Sequence, residues 1–129
     1  MAALSEQARA LIDGKNFATV ATIQPDGRPQ LSVVWMTRDG DEVLFSTLEG
    51  RRKHLNLVRD PRITLLVYPA DNPYAYLEIR GTGALISEDA PALINTLSLE
   101  YTGKPFTSDG PDAVRVIVRI TPERIVEHG

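Results

Sequence analysis

The chain has 129 residues, with 14 basic against 17 acidic side chains, a formal net charge of −3 and no cysteine. That length suits one domain, residues 1–129, built around a single core. The missing cysteines exclude disulfides and thiolate metal sites and suit a reducing cytoplasm, the absence of a basic excess argues against nucleic acid as a partner, and His54 and His128 lack ligand spacing for a metal.

In chain order, MAALSEQARALIDGK carries an early acid and lacks a long apolar run, so neither a signal peptide nor a membrane anchor is expected and the protein reads as soluble. Ser5 caps a first helix with Ala8, Leu11 and Ile12 at helical spacing, stopped by Gly14. From Phe17 the texture becomes β-rich: FATVATI, the turn PDGRP, QLSVVWMT, the turn DGD, and EVLFSTL, which predict three antiparallel strands in a meander. Residues 51–60 predict a short helix ended by Asp60-Pro61, and ITLLVY a buried strand. The run YAYLEIRGTGALI predicts a long strand that Gly81 and Gly83 allow to bend. Pro91 opens another helix, with Leu93, Ile94, Leu97 and Tyr101 on one side and Gly103 and Pro105 at its end; VRVIVRI, extended by ERIVEH, is the last strand. About six strands with short connections, small helices and no βαβ alternation predict a mostly β protein, a split or Greek-key-like barrel.

The segment FSTLEGRRKHLNLVRDPR holds the densest charge. Five of the 14 basic residues, Arg51, Arg52, Lys53, Arg59 and Arg62, fall within twelve positions, and three stand in the first turn of the predicted helix. Cations there are repelled by the helix dipole by about 0.3–1 kcal/mol each unless an anion binds. One reading is a phosphate site formed by backbone N–H groups after Gly50, Arg51 as a fork and Lys53 as a point charge, with Ser46 and Thr47 at the preceding strand end. The other is a solvated basic turn paired with Glu49 or Asp60.

Other chemistries find less support. There is no G-x-S-x-G elbow and no cysteine nucleophile, and the Gly-x-Gly of RGTGAL lies in a strand and opens no helix, so a dinucleotide fingerprint fails on context. Trp35, the only tryptophan, is either a core aromatic or an interface one, and Tyr74 and Tyr76 either stack on a flat ligand or cover the barrel rim. A flat-ligand surface beside a phosphate-binding turn points to a phosphorylated aromatic cofactor.

The succession ATIQPDGRPQLSVVW, DGDEVLFSTLEGRRKHLNLVRDPRI, YLEIRGTGAL and RITPERI resembles the flavin and deazaflavin oxidoreductases of the pyridoxamine 5′-phosphate oxidase-like superfamily. Within it the chain is most similar to the short actinobacterial branch that uses coenzyme F420, over residues 5–127. The resemblance implies a split β-barrel homodimer with two cofactor sites at its interface. It assigns the cofactor phosphate to Arg51 and Lys53, with Ser46 and Thr47 nearby and Arg52 an added residue. It runs the ring along the main chain of Ser32, Val33 and Val34, brings Tyr74 in from the partner subunit, and leaves Asn56 as a weaker candidate one turn past Lys53. Further basic residues for a substrate phosphate are not found, which disfavours vitamin B6 oxidation.

The activity this implies is hydride transfer from reduced coenzyme F420 to a planar conjugated acceptor such as an enone, a quinone or a tetrapyrrole like biliverdin, with no side chain assigned to acid–base work. Three alternatives stay open: an FMN-binding oxidoreductase on the same fold, a non-catalytic F420-carrying dimer, and a barrel interaction module with a decorative basic turn.

Overall fold

The computed structural model describes residues 1–129. Its elements are α1 (Glu6–Asp13), β1 (Ala18–Ile23), β2 (Pro29–Val34), β3 (Thr37–Asp39), β4 (Glu42–Leu48), α2 (Arg52–Arg59), β5 (Arg62–Val67), β6 (Leu77–Ile86), α3 (Ala90–Thr102) and β7 (Arg115–Glu127). The seven strands form one antiparallel sheet in the order β2-β1-β5-β6-β7-β4-β3.

That order forces closure. β2 and β3 are opposite edges of the sheet, yet Val34 and Thr37 are three residues apart. Three residue steps reach at most about 11 Å, whereas the edges of a flat seven-stranded sheet would lie about 29 Å apart. The sheet therefore rolls until its edges approach, which is the split barrel expected from the sequence.

Two expectations need correction. The first three strands do not form a meander: QLSVVWMT breaks at Trp35-Met36 into β2, which pairs with β1, and β3, which pairs with β4, while the other side of β4 pairs with β7. At the break Met36 is buried, at 2% exposure, and its N–H donates to the Tyr101 hydroxyl at 3.2 Å. The long strand begins at Leu77, leaving Tyr74 and Tyr76 in the preceding loop.

Inside the barrel the strands alternate as half-buried strands must: Val43 and Phe45 on β4, Ile63, Leu65 and Val67 on β5, Leu77 and Ile79 on β6, and Val118 and Ile120 on β7 are all buried. Burial of each large side chain contributes about 1.5–3 kcal/mol. Ala8 and Ile12 of α1 and Leu57 of α2 join the same core. The bend in β6 sits where its register with β7 shifts between Arg80 and Gly81. There a Cβ on residue 81 would stand 2.1 Å from the Thr121 carbonyl oxygen, so only glycine fits.

Candidate functional site

The turn from β4 into α2 is shaped by Gly50, whose φ of 93° is costly for any residue with a side chain, and by His54, whose Nδ1 accepts the Gly50 N–H at 3.0 Å. Arg51 takes the N-cap position but supplies no side-chain cap. The amides of Arg52, Lys53 and His54 find no hydrogen-bond partner in the protein, as expected of the open first turn of a helix.

The five clustered cations then divide. Arg62 is bound to Asp60 through Nη2 at 2.8 Å and Nε at 3.1 Å, and Arg59 donates to the Ile23 carbonyl and to Asn56 Oδ1. Arg51, Arg52 and Lys53 have no acidic partner within 4.0 Å: Asp60 is occupied elsewhere and Glu49 pairs with none of them. The reading of a basic turn neutralised by Glu49 or Asp60 therefore fails.

Arg51 and Lys53 open into a cleft of about 320 Å³ together with Ser46, Arg115, Val33 and Val34. Phe17, Trp35, Ile94, Leu97 and Phe106 complete its apolar lining. Burial, reinforced by the positive charges of Arg51 and Arg115, pushes the Lys53 ammonium below the ordinary lysine value. Three cations thus face one hollow whose other walls are largely apolar, an arrangement suited to a ligand with an anionic end and a flat hydrophobic body. Two larger hollows, of about 410 and 490 Å³, collect no such charge. In the first, Arg62 and Arg80 are already paired with Asp60 and Glu78, and the second is walled by α1, Tyr76 and His128.

The site residues expected from sequence are distributed unevenly. Val33, Val34, Ser46, Arg51 and Lys53 line the cleft. Ser32 and Thr47 do not; their hydroxyls are buried without partners. Since β2 is an edge strand, half of its backbone N–H and C=O groups, around Ser32, Val33 and Val34, have no ladder partner and remain open to a ligand. Asn56 lies outside the cleft, fully buried, its amide donating to Thr22 Oγ1 at 3.1 Å and to Gln24 Oε1 at 3.2 Å. Tyr74 is 75% exposed on its loop and does not line the cleft of its own chain.

Arg115 is the residue that sequence reasoning missed. It opens β7 beside β4, and its guanidinium binds Asp109 in a fork with Nε and Nη2 both at 2.8 Å, lies 4.8 Å from the Phe106 ring centre, and approaches Ser46 Oγ at 3.4 Å. Its signal was strand alternation: Val116, Val118 and Ile120 point inward, so Arg115 faces away from them, toward the Ser46 row of β4.

Fold and cleft together define a split barrel whose edge carries a hollow lined by three cations. A family model described as pyridoxamine 5′-phosphate oxidase matches residues 4–129, and the chain belongs to that family. Among solved structures, one named F420 reductase is 30% identical, with 95% of this chain and 98% of that chain covered and a TM-score of 0.84. A conserved hypothetical protein of Mycobacterium tuberculosis is 28% identical over 95% of this chain and 82% of its own, with a TM-score of 0.78. General Stress Protein 26 of Bacillus anthracis, at 17% identity, 95% and 92% coverage and a TM-score of 0.74, shares the fold. No helix is long and apolar enough to cross a membrane.

Proposed function

We propose that the protein is an oxidoreductase that uses coenzyme F420, delivering a hydride from the reduced deazaflavin to a planar conjugated acceptor, an enone, a quinone or a tetrapyrrole. The observation that carries this reading is the pair Arg51 and Lys53, without acidic partners, facing a cleft that Val33 and Val34 of the edge strand β2 also line. Its support from comparison is the 30% identity, over nearly the full length of both chains, to a protein named F420 reductase.

The residues present fit the group. Arg51, Lys53 and the open amides at the start of α2 would hold a phosphodiester, with Ser46 Oγ beside them. Val33 and the unpaired backbone of β2 would lie along the ring, and Trp35, held at 5.6 Å and 20° over Tyr101, stiffens the end of that strand. The cofactor when bound supplies the hydride. The chain's own work is to orient donor and acceptor face to face and to shield the hydride path; the proton that completes the reduction would come from solvent at the cleft mouth or a nearby side chain, so no particular acid–base residue is assigned.

A cleft of about 320 Å³ in one chain is too small and open to enclose such a cofactor. The outer face of β2, β1 and β5 leaves Leu31, Val33 and Leu66 at 62%, 65% and 37% exposure, with Phe17 at 61% beside it. We assign this apolar face to a second copy of the chain, which would complete the cleft and bring in Tyr74 from the partner.

The test is turnover. Oxidation of reduced F420 should accelerate when protein is added to menadione, cyclohexenone or biliverdin, and should stay slow in the Arg51→Ala/Lys53→Ala variant. Tight binding without turnover on any acceptor would make the protein a cofactor carrier; turnover with FMN alone would make it a flavoprotein.

A further inference from the structure

The loop between α3 and β7 sets one carboxylate against the cation cluster, and we propose that Asp109 is a charge filter: it lowers the advantage that a dianionic phosphate monoester holds over a monoanionic phosphodiester at the Arg51, Lys53 and Arg115 site. The proposal rests on the reading of this cleft as a phosphate site and says which phosphate it prefers.

The geometry limits what Arg115 can offer. Its side chain is 7% exposed, its Nε and Nη2 edge is taken by the two oxygens of Asp109, and Phe106 covers one face. What remains is the Nη1 side, turned toward Ser46, which lines the cleft with it. An oxyanion bound there sits across the guanidinium from a fixed carboxylate. Arg51 also acts on that carboxylate, so all three charged groups share one local field.

Without Asp109 the cleft would present three cations with no compensating charge, and a dianion would gain from each. With Asp109 in place the local charge falls by one, and the second negative charge of a phosphate bound there meets a repulsion that a singly charged phosphate feels only once. Across the roughly 7 Å width of a guanidinium bridged between two anions, in a partly solvated setting, that repulsion is worth on the order of tenfold in an equilibrium constant. FMN ends in a phosphate monoester, dianionic well above its second pKa of about 6, whereas the phosphate of F420 is a diester with a single charge. The filter therefore bears on a choice that the shared tricyclic ring leaves open.

The experiment compares wild type, Asp109→Asn and Asp109→Glu by fluorescence titration with F420, FMN and riboflavin, at one ionic strength and at a pH well above the monoester pKa. Asparagine keeps the shape and one acceptor for Arg115 while removing the charge. The expected result is that Asp109→Asn tightens FMN about tenfold relative to F420 and leaves riboflavin, which has no phosphate, unchanged, while Asp109→Glu keeps the wild-type ratio. A ratio of FMN to F420 affinity that stays within about twofold in Asp109→Asn overturns the filter; simple loosening of the loop would weaken both ligands together and give that result. If Arg51→Ala/Lys53→Ala abolishes F420 binding while the ratio stays fixed, the phosphate site stands and the filter alone falls. Binding of none of the three ligands to wild type would overturn both.

Discussion

Asn56 provides a sharp separation of stability from ligand binding, because its position beside the GRRK turn suggests a cofactor contact while its surroundings are those of a core group. The side chain is fully buried and its amide bonds to Thr22 Oγ1 and Gln24 Oε1, tying α2 to β1 and the turn that follows it. Asn56→Ala removes the two amide hydrogen bonds, worth about 1 kcal/mol each, together with the longer one from Arg59, and leaves the fully buried Thr22 hydroxyl with only its bond to Gln30 Oε1 at 3.3 Å. A small cavity adds to this, so a loss of about 2–4 kcal/mol is expected. For 129 residues, with an unfolding entropy of about 0.27 kcal/mol/K, this corresponds to a fall in Tm of roughly 7–15 °C. Urea denaturation gives the stability, and a fluorescence titration of the folded variant gives its F420 affinity, expected within about threefold of wild type. A variant of wild-type stability that binds F420 tenfold or more weakly would refute this reasoning and return Asn56 to the site.

Gly81→Ala forces a Cβ against the Thr121 carbonyl at 2.1 Å, so a loss of several kcal/mol (about 3 or more) or failure to fold is expected. Gly83→Ala meets side-chain methyls alone, the tightest being that of Val118 at 3.1 Å, and should lose less, a ranking that urea titration reads directly. Tyr101→Phe removes the hydroxyl that donates to the Asn16 carbonyl at 2.7 Å and accepts the Met36 N–H at 3.2 Å. It should cost about 1–2 kcal/mol, and freer motion of Trp35, the only tryptophan, should shift its emission; an unchanged spectrum and midpoint would contradict the packing described. Hydrogen bonds from Arg62 draw the Asp60 carboxyl down to about 2. A depressed folded-state pKa contributes stability above the unfolded value near 4 and loses it as pH falls toward 2. Wild type and Asp60→Asn should therefore differ in stability above pH ~4 and converge near pH ~2, as pH-dependent urea curves will show.

Much of the fold was legible because strand alternation and Gly-containing turns are local signals, and the three helices are bounded by Ser5, Gly14, Asp60, Pro91 and Gly103, residues whose backbone preferences mark ends. The break at Trp35-Met36 was not, since VVWM is apolar throughout and carries no turn residue; what holds it is a partner 65 positions away, Tyr101. Pairing of β4 with β7 rather than β2 is likewise a long-range choice that no window along the chain reveals. In the cleft, the GRRK turn was visible as a charge that conflicts with a helix dipole. Arg115 and Asp109 were not, because alternation shows which face of β7 an arginine occupies but not that the loop before it folds back to clasp it. Asn56 misled for the opposite reason: one helical turn from Lys53 it is near in sequence, yet it lies outside the cleft, buried against Thr22 and Gln24.

The most direct test of the central claim is titration of the cofactor-free protein with F420 by fluorescence quenching, at several salt concentrations, in wild type and Arg51→Ala/Lys53→Ala. The account predicts tight binding that weakens as salt rises and a loss of about a hundredfold or more in the double variant, each charge-assisted contact being worth about 1.5–3 kcal/mol. Equal affinity in both proteins, or no binding to either, would contradict it.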